Sequence, residues 1–231
     1  MKVFQISLKV FLMENIEVKD SLCKIAAFID SGLSTDPQLL ELHEKNMYKN
    51  YCFNNMFPLE LKEKIYRKGN IYTIMIRTID AKLAKFFNDN LVNHHNSSMK
   101  GLTSEIKVIP KRYIEKLYCL TPAVLKTDSG YWKNSLTLDS FEERLHINLI
   151  KKYNAVMGNK IDENFKLYTS IEFKNKKPIA INYKNISILG DKISINISDD
   201  KRAQELAYLS LGVGLLECNA RGAGFVNYKF L

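Results

Sequence analysis

The chain has 231 residues, 46% of them hydrophobic, and 34 Lys and Arg outweigh 25 Asp and Glu to give a formal net charge of +9. This is ample apolar content for a folded protein of one large or two small domains, and the charge favours an anionic partner without specifying chemistry. Cys23, Cys52, Cys119 and Cys218 are far apart with no Cys-x-x-Cys pair, which argues against a zinc ribbon and a dithiol redox motif. Reduced thiols and a cytoplasmic location are expected, since the N-terminus is not a signal peptide and no apolar run approaches a membrane span.

Phe4, Ile6, Leu8, Val10 and Leu12 share one phase of a period-two pattern, so the chain opens with a half-buried strand. Leu22, Ile25, Ala26 and Ile29 recur at helical spacing, with Gly32 where a C-terminal cap would fall. Asp36 and Pro37 start a short helix that carries Leu39, Leu40, Leu42 and His43. Leu61 to Arg67 and Ile71 to Ile79 flank Lys68-Gly69-Asn70 and predict a hairpin. Asp80 caps a helix with Leu83, Ala84, Phe87 and Leu91 on one face, and Leu102 to Ile109 form a strand ended by Pro110.

The same order recurs downstream. Ile114 to Val124 reads as a strand region, and Asp139 with Glu142 as a capping box for a helix bearing Phe141, Leu145, Leu149 and Val156. Leu167 to Phe173 and Ile179 to Ile197 supply strands, with turns at Lys174 to Pro178 and at Gly190-Asp191. Ser198 or Asp199 caps a last helix, and a glycine-rich segment leads to a final strand through Phe225, Val226, Tyr228 and Phe230. The expected class is α+β, two tandem ferredoxin-like βαββαβ units with antiparallel sheets, divided into residues 1–112 and 113–231.

Four of the ten glycines, Gly212, Gly214, Gly222 and Gly224, fall in the last twenty residues as two Gly-x-Gly pairs, with Arg221 among them. Glycine allows close backbone approach. The order helix, glycine loop, strand is the reverse of a dinucleotide or P-loop site, so a nucleotide cofactor is not expected. Backbone N–H groups here could meet phosphates, with Arg221 adding a bidentate contact.

With two ferredoxin-like halves, a basic chain and this C-terminal glycine segment preceded by Lys201-Arg202-Ala203-Gln204-Glu205-Leu206-Ala207, the sequence resembles the Cas6 endoribonucleases that process precursor CRISPR RNA. The resemblance spans essentially the whole chain. It implies binding of CRISPR repeat RNA and metal-independent cleavage without a cofactor, through attack of the RNA 2′-hydroxyl that leaves a 2′,3′-cyclic phosphate and a 5′-hydroxyl. Other subunits of a CRISPR effector complex and a homodimer are further expectations.

The resemblance places the chemistry at His43 and Lys49, accompanied by Tyr48. Histidine suits proton transfer near neutrality and lysine can meet developing phosphorane charge. His43 lies four positions after Leu39, while His94, His95 and His146 read as helix-end or helix-flank residues. The family's tyrosine near the end of the first helix is missing: Phe28-Ile29-Asp30-Ser31 offers no phenol, and Ser31, Tyr48 or Tyr51 could substitute. Lys174, Lys176 and Lys177 are expected at a hairpin tip that positions RNA, as the family uses a comparable hairpin. A non-catalytic RNA-binding scaffold is the alternative, and an interaction protein without an RNA role is a third reading.

Overall fold

The computed structural model describes residues 1–44, 48–183 and 186–231, with 42–44 described by backbone alone. The first half contains β1 (Val3–Leu12), β2 (Ile16–Glu17), α1 (Ser21–Leu33), α2 (Pro37–Glu44), β3 (Tyr51–Phe53), β4 (Ile65–Tyr66), β5 (Ile71–Thr78), α3 (Ala81–Asn90) and β6 (Met99–Ile109). The second contains β7 (Ile114–Cys119), β8 (Lys126–Thr127), β9 (Gly130–Tyr131), α4 (Leu138–Met157), β10 (Tyr168–Phe173), β11 (Ile179–Tyr183), β12 (Ile186–Gly190), β13 (Ile193–Ile197), α5 (Lys201–Val213) and β14 (Val226–Phe230).

Two four-stranded sheets result, β3-β5-β1-β6 and β10-β13-β7-β14. All pairings within them are antiparallel. Taken with their helices, both have the strand order of a ferredoxin-like βαββαβ unit. In β1, Ile6, Leu8, Val10 and Leu12 are all fully buried, as the period-two pattern requires.

Several local expectations are corrected. The run Leu61 to Arg67 makes no hairpin with β5: β4 pairs with β2, while the sheet neighbours of β5 are β1 and the unforeseen β3. Leu61 is 75% exposed. The turn at Gly69 is real, with φ of 83° and its N–H donated to Leu12 O at 2.9 Å. Gly32 lies inside α1, where a Cβ would come 2.6 Å from Leu91 Cδ2. Its compactness there, not a cap, is what packing needs. Thr137, not Asp139, caps α4, and Asp200, not Ser198 or Asp199, caps α5. Asp36 and Asp80 cap α2 and α3 as expected, each accepting two backbone N–H groups.

Lys174, Lys176 and Lys177 do not form a hairpin tip. They lie on the connection from β10 to β11, two strands that belong to different sheets, whereas β11 pairs with β12. Asn175 pins that connection by donating to Asp191 Oδ1 at 2.7 Å and accepting from Lys192 N at 2.7 Å. Asp191 is wholly buried and also accepts from Tyr131 Oη and Trp132 Nε1.

The two cores exchange residues. Val124, Ile181 and Ala223 pack with the first sheet's core, and Val3 and Ile109 with the second's. Tyr208 on α5 joins the halves by accepting from Val3 N at 3.2 Å and donating to Ile109 O at 2.6 Å. Arg77 on β5, 2% exposed, donates to Gln5 Oε1 at 2.9 Å and across to Val226 O at 2.6 Å, with its guanidinium 4.5 Å from the Phe225 ring centroid.

Candidate functional site

The C-terminal glycines shape a loop by contact with the rest of the chain. Gly212, on α5, packs so closely on β5's end that a Cβ would lie 2.6 Å from Ile79 Cγ2. Gly214 ends α5 with φ 74° and ψ 167°, a conformation that only glycine adopts readily. At Gly222, φ of 86°, a Cβ would strike Leu22 and Phe53 of the first half, and at Gly224 it would sit 2.1 Å from Leu215 O.

All four glycines are buried. Their close approach is to this chain's own first half and to the loop itself. The N–H groups of Gly214, Gly222 and Gly224 are donated to Ser210 O, Asn219 O and Pro122 O. The expected glycine N–H donors toward phosphate are therefore already engaged, and the loop instead presents the side chains between the glycine pairs.

Lys152 holds the loop from beneath. The side chain leaves α4 3% exposed and donates to Gly214 O at 3.0 Å, Leu216 O at 2.6 Å and Asn219 Oδ1 at 2.7 Å. Asn219 Nδ2 in turn donates to Leu215 O and Ala223 O. Burial draws the Lys152 pKa down to about 7. The sequence carried a signal for it: Lys152 follows Leu145 and Leu149 in the buried phase of the helix, where an unpaired cation would not be tolerated.

Above this platform is an open cleft of about 860 Å³, lined by Asp30 of α1, Tyr48, Lys49 and Asn50, Lys126, Tyr183 of β11, and Glu217 to Arg221 of the loop. Tyr48 and Lys49 thus share one cavity with Arg221, so the glycine loop and the segment after α2 are not on opposite sides of the molecule. Tyr48 is 41% exposed. Burial raises its pKa, and Glu217 adds to the effect. Burial lowers the Lys49 pKa, opposed by the carboxylate of Asp30. His43 belongs to α2 by backbone, and its side chain is outside the described residues.

The remaining candidates separate cleanly. Tyr51 is 2% exposed in the core, its ring edge-on to Phe87, and it is not among the residues that line the cleft. The Ser31 hydroxyl donates to Phe28 O and lies 2.9 Å from His94 Nε2, which makes His94 a partner of α1 instead of a surface cap. His146 lies edge-on to Phe165, with its Nε2 buried and without a hydrogen bond. Lys174, Lys176 and Lys177 are not among the cleft's lining residues. Lys126, Tyr183, Glu217 and Asp30 were not singled out from sequence. Among the described residues, no three His, Cys, Asp or Glu side chains are grouped to hold a metal ion, and no helix is long and apolar enough to cross a membrane.

Comparison with known proteins converges on one family. Residues 110–228 match the family described as CRISPR associated protein Cas6, C-terminal. The chain is 24% identical over 224 residues to the CRISPR-associated endoribonuclease Cas6 2 of Methanocaldococcus jannaschii, covering 88% of this chain and 90% of that one. A solved RAMP protein described as binding different RNA substrates shares the fold with a TM-score of 0.75 at 18% identity, over 98% of this chain and 99% of that one. The product of a Cas6-related gene from Pyrococcus furiosus does so with a TM-score of 0.70 at 18% identity, over 98% of each chain. With more than half of its length matched by the family and the double βαββαβ architecture in place, this chain belongs to the Cas6 family of CRISPR-associated proteins.

Proposed function

We propose that this protein is an endoribonuclease that binds CRISPR repeat RNA and cuts precursor CRISPR RNA without a metal ion, using the RNA's own 2′-hydroxyl as nucleophile. The P–O5′ bond breaks as the O2′–P bond forms, leaving a 2′,3′-cyclic phosphate and a 5′-hydroxyl. The observation that carries this reading is the shared cleft, where Tyr48 and Lys49 from the first sheet's side meet Arg221 from the last loop.

The roles follow from chemistry. His43, on the helix that leads toward Tyr48, transfers the proton. Lys49 stabilises charge on the phosphorane oxygens. Tyr48 supplies a hydroxyl beside them, and Arg221 clamps a phosphate with its planar N–H fork. Gly212, Gly214, Gly222 and Gly224 serve the site by letting the loop fold tightly enough to present Arg221. Lys174, Lys176 and Lys177 contribute to RNA binding only as charge outside the cleft. In this reading the chain divides at residue 112, in the link from β6 to β7.

The test is cleavage of repeat RNA in EDTA, with the product ends mapped and His43→Ala compared under single-turnover conditions. Cleavage in EDTA to cyclic-phosphate ends is expected, slowed by about a hundredfold or more in the variant. A strict Mg²⁺ requirement, or undiminished cleavage by His43→Ala, would sink the mechanism. RNA that is bound tightly and never cut would identify a scaffold subunit.

A further inference from the structure

Arg221 lines the cleft with its guanidinium 4.2 Å from the centroid of the Tyr183 ring. Among the described residues, none hydrogen-bonds or ion-pairs with this guanidinium. An arginine held over an aromatic ring through its charge does not spend its N–H donors on protein acceptors. The lysines Lys49, Lys126 and Lys152 and the carboxylates Asp30 and Glu217 line the same space.

Both members of this cation–ring pair are held from behind. Tyr183 ends β11, whose Ile181 is 2% exposed within the first sheet's core and whose Asn182 Nδ2 donates to Asp20 Oδ1 at 2.8 Å, just before α1. Arg221 is fixed at its backbone, its N–H donated to Cys218 O at 2.9 Å and the next residue, Gly222, in the left-handed conformation. The ring and the guanidinium thus come from separately anchored segments. A long side chain held in this way has already lost rotamer freedom that a loose arginine would lose on gripping its ligand.

We propose that Tyr183 is a positioning residue that acts through Arg221, holding the guanidinium so that its N–H fork meets the scissile phosphate beside Lys49. The inference rests on the endoribonuclease reading above. It makes β11, a strand of neither four-stranded sheet, part of the machinery for the chemical step.

A double-mutant cycle on the full chain tests it, with single-turnover cleavage of repeat RNA as one readout. The other is affinity for the same RNA carrying a 2′-deoxy nucleotide at the cut site. Arg221→Ala is expected to slow cleavage about a hundredfold. Tyr183→Ala slows it about tenfold, in the range such a cation–π contact carries, with affinity changed by less than about threefold. The double variant is no slower than Arg221→Ala, and Tyr183→Phe, which keeps the ring face, recovers most of the rate lost in Tyr183→Ala. Losses that multiply in the double variant, or Tyr183→Phe as slow as Tyr183→Ala, overturn the proposal while the endoribonuclease reading stands. Wild-type protein that neither binds nor cuts repeat RNA overturns both.

Discussion

Three carbonyl oxygens of the glycine-rich loop converge on Lys152 Nζ. Lys152→Met keeps the side chain's length and leaves those oxygens buried without a donor, so it should cost about 3 kcal/mol or more, measured by urea unfolding. The pH dependence has a definite sign. Burial lowers the folded-state pKa from 10.5 to about 7, so between those values the unfolded chain holds a proton that the folded chain releases. This group's contribution to stability therefore rises with pH across that window and is lost as pH falls through about 7. The stability gap between wild type and Lys152→Met should widen from pH 7 to pH 9, and a gap that narrows would contradict the assignment. Lys152 was legible in principle as a charge in an apolar stripe. Lys126 and Tyr183 were not, because their places in the cleft depend on contacts between segments distant in sequence.

Elements were legible where their signal is local. Asp36 and Asp80 announce α2 and α3 because a cap is a contact across two or three residues. β3 and β4 failed for the opposite reason: Tyr51–Phe53 is buried throughout and shows no alternation, and Ile65–Tyr66 is a strand only because Ile16–Glu17 lies beside it. The glycine loop stood out by composition, but composition could not say what the glycines approach. Gly224→Ala measures the difference. With φ of 67° and a Cβ 2.1 Å from Leu215 O, it should cost more than about 3 kcal/mol, whereas Gly69→Ala, also left-handed but open around its Cβ, should cost about 1 kcal/mol. Thermal unfolding of the two variants side by side checks the ranking, and similar costs would mean that the tight approach at Gly224 relaxes.

At the scale of the whole molecule, Arg77 joins the two sheets, bridging Gln5 of β1 and Val226 of β14. Arg77→Leu leaves both acceptors unpaired at a buried seam and should destabilise by about 3 kcal/mol or more. If the two units then lose their mutual support, fluorescence of Trp132, in the second core, and far-UV circular dichroism should no longer trace one transition. Coincident curves with an unchanged midpoint would show that the seam contributes little. The duplicated βαββαβ order could be read from patterning, but this seam could not, since the acceptors of Arg77, Gln5 and Val226, lie 72 and 149 residues away in sequence. The exchange of core residues has a temporal consequence. Ile181 completes the packing around α1 from a position more than a hundred residues downstream, so on the ribosome the nascent first unit must wait with that flank uncovered. The cleft, too, can assemble only after Arg221 has cleared the exit tunnel, so it forms later than the sheet whose flank it adjoins.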